Sequence, residues 1–264
     1  LSDAFEPNKD SWHGEYTELK SLLTEEEYAA ARSSTLTAFY TPPAVIDAMY
    51  TALRKMGVGA GTILEPSMGA GAFFGQSHSY LYEPTTRLFG VELDSLTGRI
   101  ARQLYQKANI QITGFEKADL PDSFFDVVIG NVPFGDYSVV DPQYNRLHFK
   151  IHDYFFAKSI DKLRTGGIIA FVTTSGTLDK KSEEVRKYIN ARCDFIGAVR
   201  LPDSTFKTAG TKAMADIIFL QKRDRILEQD ADWLHTTQTE DGLSLNRYFA
   251  EHPEMVCGTL KTVS

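Results

Sequence analysis

Asp126-Val127-Val128-Ile129-Gly130-Asn131-Val132-Pro133-Phe134-Gly135 is a β-branched apolar run that ends in a polar and then an aromatic residue. Three consecutive β-branched side chains suit a strand buried on both faces. Pro133 biases Val132 toward extended backbone, so the Val132 carbonyl is held in a defined direction. Asn131 sets a side-chain oxygen beside it, and Phe134 adds a flat aromatic face. Two acceptors and an aromatic plate at a strand tip form a receptor for a planar group that carries an NH2.

Short apolar runs on both sides predict further strands at 62–65, 87–92, about 110–113, 167–173, 195–200 and 215–221, with the central one at 125–130. Helical stretches lie between several of them, most clearly at 94–107, 152–163 and 181–191. Strands alternating with helices imply an α/β fold, a mainly parallel sheet covered on both faces. Upstream, Thr24 followed by Glu25, Glu26 and Glu27 reads as an N-cap with an acidic first turn. Thr41-Pro42 opens a second helix, whose apolar positions Val45, Ile46, Met49 and Leu53 keep helical spacing until Gly57 or Gly59. Residues 1–22 are polar and unpatterned, an expected arm or linker, and 226–264 show no clear strand.

Two other strand ends carry acids. Ile63-Leu64-Glu65-Pro66-Ser67-Met68-Gly69-Ala70-Gly71-Ala72-Phe73 runs from a strand through a small-residue loop into a helix. It lacks the Gly-Lys-Ser/Thr ending of a phosphate loop and the third glycine of a dinucleotide fingerprint. An acid at that tip suits a cationic amine. In Gly90-Val91-Glu92-Leu93-Asp94, the acid ends the next strand, where an α/β nucleoside site places its ribose-hydroxyl acceptor. Asp119, after the third strand, is the candidate acceptor for an adenine amino group.

Composition narrows the classes. The 264 residues are 42% hydrophobic and 24% charged, the range of a soluble globular domain. No apolar run is long enough to span a membrane, and no basic leader with an apolar stretch is present. The start at Leu1 suggests a processed or excised piece. Cys193 and Cys257 have no near partner or histidine cluster, which argues against a disulfide framework or a metal site and fits a reducing compartment, expected to be the cytoplasm. Net charge is −7, but residues 146–225 hold 16 basic against 9 acidic side chains. That stretch includes Arg146, Lys150, Lys180, Lys181, Arg186, Lys187, Arg192, Lys207, Lys212, Lys222, Arg223 and Arg225. It reads either as solvated helix faces or as a basic rim for a polyanion.

In this order the motifs resemble S-adenosylmethionine-dependent N6-adenine DNA methyltransferases. Asn131-Val132-Pro133-Phe134 is similar to their Asn-Pro-Pro-Tyr/Phe catalytic motif, with Val132 in place of the first proline. Glu65 to Phe73 resembles their Asp-Pro-x-x-Gly-x-Gly-x-Phe cofactor loop, with Glu65 for the commoner Asp. Phe39-Tyr40-Thr41-Pro42-Pro43 is similar to the upstream Thr-Pro element. Leu201-Pro202-Asp203-Ser204-Thr205-Phe206 and the run to Phe219 resemble the late segment of type I modification subunits and of the methylase-helicase proteins of mobile elements.

The resemblance covers roughly residues 35–222 and implies a Rossmann-like class I methyltransferase, with a seven-stranded, mostly parallel sheet containing one antiparallel strand. It implies cofactor contacts at Tyr40, Thr41, Glu65, Pro66, Ser67, Gly69, Gly71, Phe73, Glu92, Leu93, Asp119 and Leu120. The catalytic residues would be Asn131, Val132, Pro133 and Phe134, the substrate contacts Phe134, Tyr137 and Phe206, and no metal is required. The expected substrate is an adenine extruded from DNA, the expected cofactor S-adenosyl-L-methionine. The expected organisation is an arm and helix over 1–35, a methyltransferase domain over 36–225 and a tail or start of a further domain over 226–264. Sequence recognition would come from other domains or subunits of a larger restriction-modification protein. Three alternatives use the same residues: a protein glutamine N5-methyltransferase, a non-catalytic cofactor-binding or scaffolding module, and a nicotinamide dehydrogenase. The last leaves the 125–135 tip unexplained.

Overall fold

The computed structural model describes residues 2–37, 40–59, 61–80, 85–206 and 214–258. Phe39, Lys207 and Lys212 lie outside the described residues. Seven strands form the central sheet: β1 (Thr62–Glu65), β2 (Arg87–Glu92), β3 (Asn109–Ile112), β4 (Phe125–Asn131), β5 (Leu163–Thr174), β6 (Cys193–Arg200) and β7 (Ala215–Lys222). Their order is β3-β2-β1-β4-β5-β7-β6. Neighbours from β3 to β5 are parallel, and β7 runs antiparallel to both β5 and β6. The strand order reverses between β1 and β4, and in open α/β sheets that reversal opens a crevice beyond the carboxyl ends of the strands. Glu65, Glu92 and Asn131 are the last residues of β1, β2 and β4.

The period-2 pattern of the strands builds two cores. Leu64, Val128, Ile169 and Phe171 point to one face, and Ile63, Val127, Ile129, Ile168, Ala170 and Val172 to the other. The first face is covered by α6 (Ile151–Lys162) and α8 (Glu184–Asn190), the second by α3 (Pro43–Lys55). On α3 the stripe Ile46, Met49, Tyr50 and Leu53 is almost fully buried, each side chain contributing about 1.5–3 kcal/mol over exposure. The remaining helices of this unit are α4 (Ala72–Tyr80), α5 (Ser95–Leu104) and the short α7 (Gly176–Asp179). Asp94 caps α5 by accepting from the Thr97 N–H at 2.6 Å, and α3 begins at Pro43 with Pro42 as its cap, one residue later than Thr41 suggested.

Two stretches differ from their sequence reading. Residues 1–22 are not an unpatterned arm: they contain α1 (His13–Leu22), which packs with α2 (Glu25–Thr37) around Phe5 and Tyr28. Thr24 and Glu27 form a reciprocal capping box at the start of α2, and Arg99 of α5 reaches Glu27 at 2.7 Å. The apolar residues of α1 are spread thinly because the cluster they fill is small. Residues 226–258 also carry structure, with a hairpin of β8 (Thr236–Gln238) and β9 (Ser244–Asn246) followed by α9 (Arg247–Glu251). Trp233, Leu234, Leu245 and Phe249 are buried in the same core as β4 and β5. Strands of three residues are too short to show a period.

The basic stretch is neither a plain solvated face nor a continuous rim. Arg186 and Arg200 are buried. Lys158 pairs with Asp141, Lys180 with Asp153, Arg223 with Asp194, and Lys222 donates to the Leu163 carbonyl. Much of that charge is therefore internal, bound to partners distant in sequence.

Candidate active site

A cavity of ≈ 810 Å³ opens at the carboxyl ends of β1, β2, β3 and β4. Its lining includes Tyr40, Thr41, Glu65, Pro66, Ser67, Gly69, Phe73, Glu92, Leu93, Asn131, Val132, Pro133 and Tyr137. Most of the residues that the sequence assigned to cofactor and catalysis thus share one space, although they span nearly a hundred positions. Gly71 is one residue removed, holding the loop: its φ of +86° is left-handed, and its carbonyl accepts from the Tyr105 hydroxyl at 2.7 Å. A Cβ there would strike the Tyr105 ring, so only glycine suits the position. Gly69 at φ +56° is the second left-handed turn of the same loop.

Besides Gly71, four expected residues do not line the cavity. Asp119 is exposed, its backbone exchanging hydrogen bonds with the Gln111 side chain. Leu120 and Phe206 are buried in the cores on opposite faces of the sheet. Phe134 is partly buried and packs against both cores. Beside β3 the wall is made instead by Thr113, Gly114, Phe115 and Glu116. The chain turns into a 3₁₀ helix over Phe115–Lys117 directly after the strand, which brings Glu116 to the cavity three residues earlier than Asp119. The Glu116 carboxylate folds over Gly114, where a Cβ would collide with it. The signal in the sequence was Gly114-Phe115-Glu116 immediately past the strand end. A further wall, missed from sequence, comes from Val139, Ile151 and Phe155 beyond the catalytic tip.

Glu65 is the strongest electrostatic feature. Its side chain is 2% exposed, and among the described residues its Oε2 has no hydrogen-bond partner. Burial pushes its carboxyl well above the usual carboxylate range, and Glu92 nearby adds to the rise. A buried acceptor facing a cavity without a partner is costly unless a ligand donor reaches it. An ammonium group is the matching partner, and the S-adenosylmethionine implied by the motifs carries one on its methionine end.

The remaining polar groups tie the walls together. Glu92 accepts from the Gly69 N–H at 2.8 Å and the Asp94 N–H at 2.7 Å, so the acid of β2 pins the loop that follows β1. Burial raises the Glu92 carboxyl, while those backbone donors pull it down. Ser67 donates its hydroxyl to the Asn131 carbonyl at 2.8 Å, joining the loop to the tip of β4. The Val132 N–H is held by the Val172 carbonyl at 3.0 Å. The cavity is therefore lined by two carboxylates, Glu65 and Glu92, and by the amide tip at Asn131 and Val132, with Ser67 joining the β1 loop to that tip. Among the described residues no cluster suits a metal ion, and no helix is long and apolar enough to cross a membrane.

Comparison with known proteins gives a family and a fold. Residues 22–246 match the family described as N-6 DNA Methylase. The chain is 27% identical over 208 residues to the Defense against restriction protein B of Escherichia phage P1, covering 76% of this chain and 9% of that protein. Among solved structures, the type I restriction-modification system methyltransferase subunit from Streptococcus thermophilus superposes with a TM-score of 0.61 at 17% identity, covering 92% of this chain and 60% of that one. The M protein of the type I restriction enzyme EcoKI gives 0.58 at 18% identity, covering 82% and 51%. These likenesses establish the Rossmann-like class I methyltransferase fold. The chain spans under a tenth of the phage relative and little more than half of the two structural ones.

Proposed function

This chain belongs to the N-6 DNA methylase family, and from that premise and the geometry of the cavity we propose that it transfers a methyl group from S-adenosylmethionine to the N6 amino group of adenine in DNA. The observation that carries this reading is one cavity lined both by a buried carboxylate whose Oε2 has no partner among the described residues and by the Asn131 tip of the adjacent strand. When bound, S-adenosylmethionine supplies a methyl group already activated by its sulfonium. Glu65 receives the donor's ammonium group, with Thr41 and Tyr40 beside it. Glu92 receives the ribose hydroxyls while it keeps the Gly69 loop in place, and Leu93 and Glu116 face the donor's base. The Asn131 side chain and the Val132 carbonyl accept hydrogen bonds from the target amino group, which localises the nitrogen lone pair. Positioning and electrostatics supply the rate, and no covalent enzyme intermediate is needed.

Residues 36–225 act as the methyltransferase domain in this reading, with 1–35 as an N-terminal extension and 226–264 as a C-terminal segment whose described part, to 258, docks on the core. DNA and further domains or subunits that select the sequence are the partners, in the cytoplasm. Parallel incubations with labelled S-adenosylmethionine, one with unmethylated DNA and one with a glutamine-bearing release-factor substrate, test the substrate class. Label in DNA is expected; label in the glutamine protein overturns the reading.

Two further results are expected. Burial raises the Glu65 carboxyl and a cationic amine favours its charged form, so donor affinity should rise with pH as free Glu65 loses its proton. Glu65→Gln has no proton to expel; calorimetry should show a flatter profile, with the remaining slope due to Glu92, and binding weaker by roughly 10–100-fold. Ser67→Ala removes the hydroxyl that holds the Asn131 carbonyl, and turnover should fall roughly fivefold with donor affinity unchanged. An equal loss in both quantities would place Ser67 in donor binding instead.

A further inference from the structure

Between the catalytic tip and α6 the chain makes an excursion over residues 136–150. We propose that this segment is the element that enters the DNA duplex: Val140 fills the gap left in the base stack by the extruded adenine, and Arg146, His148 and Lys150 face the flanking phosphates. The inference rests on the DNA-methylation reading above and adds the surface that meets the double helix.

The outgoing arm is apolar and points outward. Tyr137 and Val139 line the cavity, and Val140, one residue further, is 78% exposed, the most exposed large hydrophobic side chain among the described residues. Tyr137 is itself 54% exposed at the cavity mouth. A single exposed valine is ordinary on a protein surface, but this one sits on backbone that is fastened on each side. The Tyr137 carbonyl accepts from the Ile151 N–H at 2.8 Å. Ser138 donates its hydroxyl to the Phe149 carbonyl at 2.8 Å. Asp141, buried, receives the Tyr154 hydroxyl at 2.8 Å and the Lys158 ammonium at 3.0 Å. The Asp141 N–H donates to the Asn145 side chain at 2.9 Å. A rigidly held apolar tip beside the cavity that takes the base has the form of the wedges by which proteins part stacked base pairs.

The returning arm carries the charge. Arg146, His148 and Lys150 are all exposed. Lys150 pairs with Asp136 at 2.6 Å, but both side chains are at least half exposed, so the pair is weak and is readily exchanged for a phosphate. Apolar tip and basic flank on one anchored excursion fit a polyanion with a hydrophobic interior, which duplex DNA is.

The test compares wild type with Val140→Ser by fluorescence anisotropy on an intact duplex, the same duplex with one abasic site, and the single strand, at fixed salt. Val140→Ser is expected to lose about tenfold on both duplexes and nothing on the single strand, because only a stacked duplex has a gap to fill. Arg146→Gln should lower the slope of log affinity against log salt by about one. Equal losses on duplex and single strand, no loss on any of them, or a wild type that binds no duplex overturns the assignment. The same samples with labelled donor separate the two readings. A selective duplex defect without any methylated adenine keeps the wedge and removes the methylation reading; methylated adenine with unchanged duplex preference does the reverse.

Discussion

Asn131→Ala is expected to lower methyl transfer by about 10²–10³-fold, the usual loss when one preorganised polar contact to the reacting group is removed, with donor affinity within about threefold. The residue ends β4 at the cavity, and the donor contacts proposed above are Glu65 and Glu92, so a defect at Asn131 should appear in turnover and not in donor binding. The mutation spares the backbone: the Asn131 carbonyl still accepts from Ser67, and the Val132 N–H stays bonded to Val172. The tip keeps its shape and loses one of the two acceptors proposed for the target amino group. Single-turnover transfer with labelled donor, alongside calorimetric titration of the same protein, measures both quantities. Wild-type turnover in the variant would remove Asn131 from the mechanism.

The largest effect on stability should come from Arg200→Met, about 3–5 kcal/mol at neutral pH. Arg200 is 2% exposed, and its guanidinium donates through Nε to Asp216 at 2.8 Å and through Nη2 at 2.9 Å. It also lies 2.8 Å from Asp179 and sits over the Phe249 ring at 4.4 Å. Methionine restores the volume and leaves two buried carboxyls with no cation. The pH dependence follows from their direction of shift. Burial, opposed by Arg200, lifts Asp179 to about 6, and burial also raises Asp216. A group raised on folding gives its full stability below its unfolded pKa and loses it as pH rises through the folded value. Without Arg200 both carboxyls hold their protons more tightly, so the deficit should grow from about pH 4 upward through pH 6 and beyond. Urea unfolding at pH 5 and pH 8 checks this: the variant should lie closer to wild type at pH 5. An equal deficit at both values would mean that lost packing, not uncompensated charge, explains the cost.

The sheet was legible because its strands are buried runs bounded by turns, and all seven appear within a few residues of their expected limits. Glu65, Glu92 and Asn131 were legible for a related reason, since each is the polar residue that ends an apolar strand and the topology brings such ends together. Where the chain leaves a strand by a turn, counting along the sequence fails. Asp119 was the expected acceptor after β3, but the 3₁₀ turn presents Glu116, the nearer acid, to the cavity and leaves Asp119 in water. Phe206 and Phe134 were both expected to meet the substrate, because an aromatic ring after a strand reads alike for core and cavity; Phe206 is buried in one core and Phe134 packs partly against both. Net charge by segment failed for the same reason of distance. Lys158 meets Asp141, which lies outside residues 146–225, and within that stretch Lys180 meets Asp153 and Arg200 meets Asp216 across turns and strands, so a count of charges does not tell which of them are free.

The central claim is that the cavity at the carboxyl ends of β1 to β4 delivers a methyl group to an adenine amino group. Its most direct test is incubation of the protein with methyl-labelled S-adenosylmethionine and unmethylated duplex DNA, followed by digestion to nucleosides and chromatography. Label running with N6-methyl-2′-deoxyadenosine, absent in Asn131→Ala, is the predicted result. Label running with a methylated cytosine nucleoside, or a DNA that stays unlabelled while the donor binds at Glu65, would contradict it.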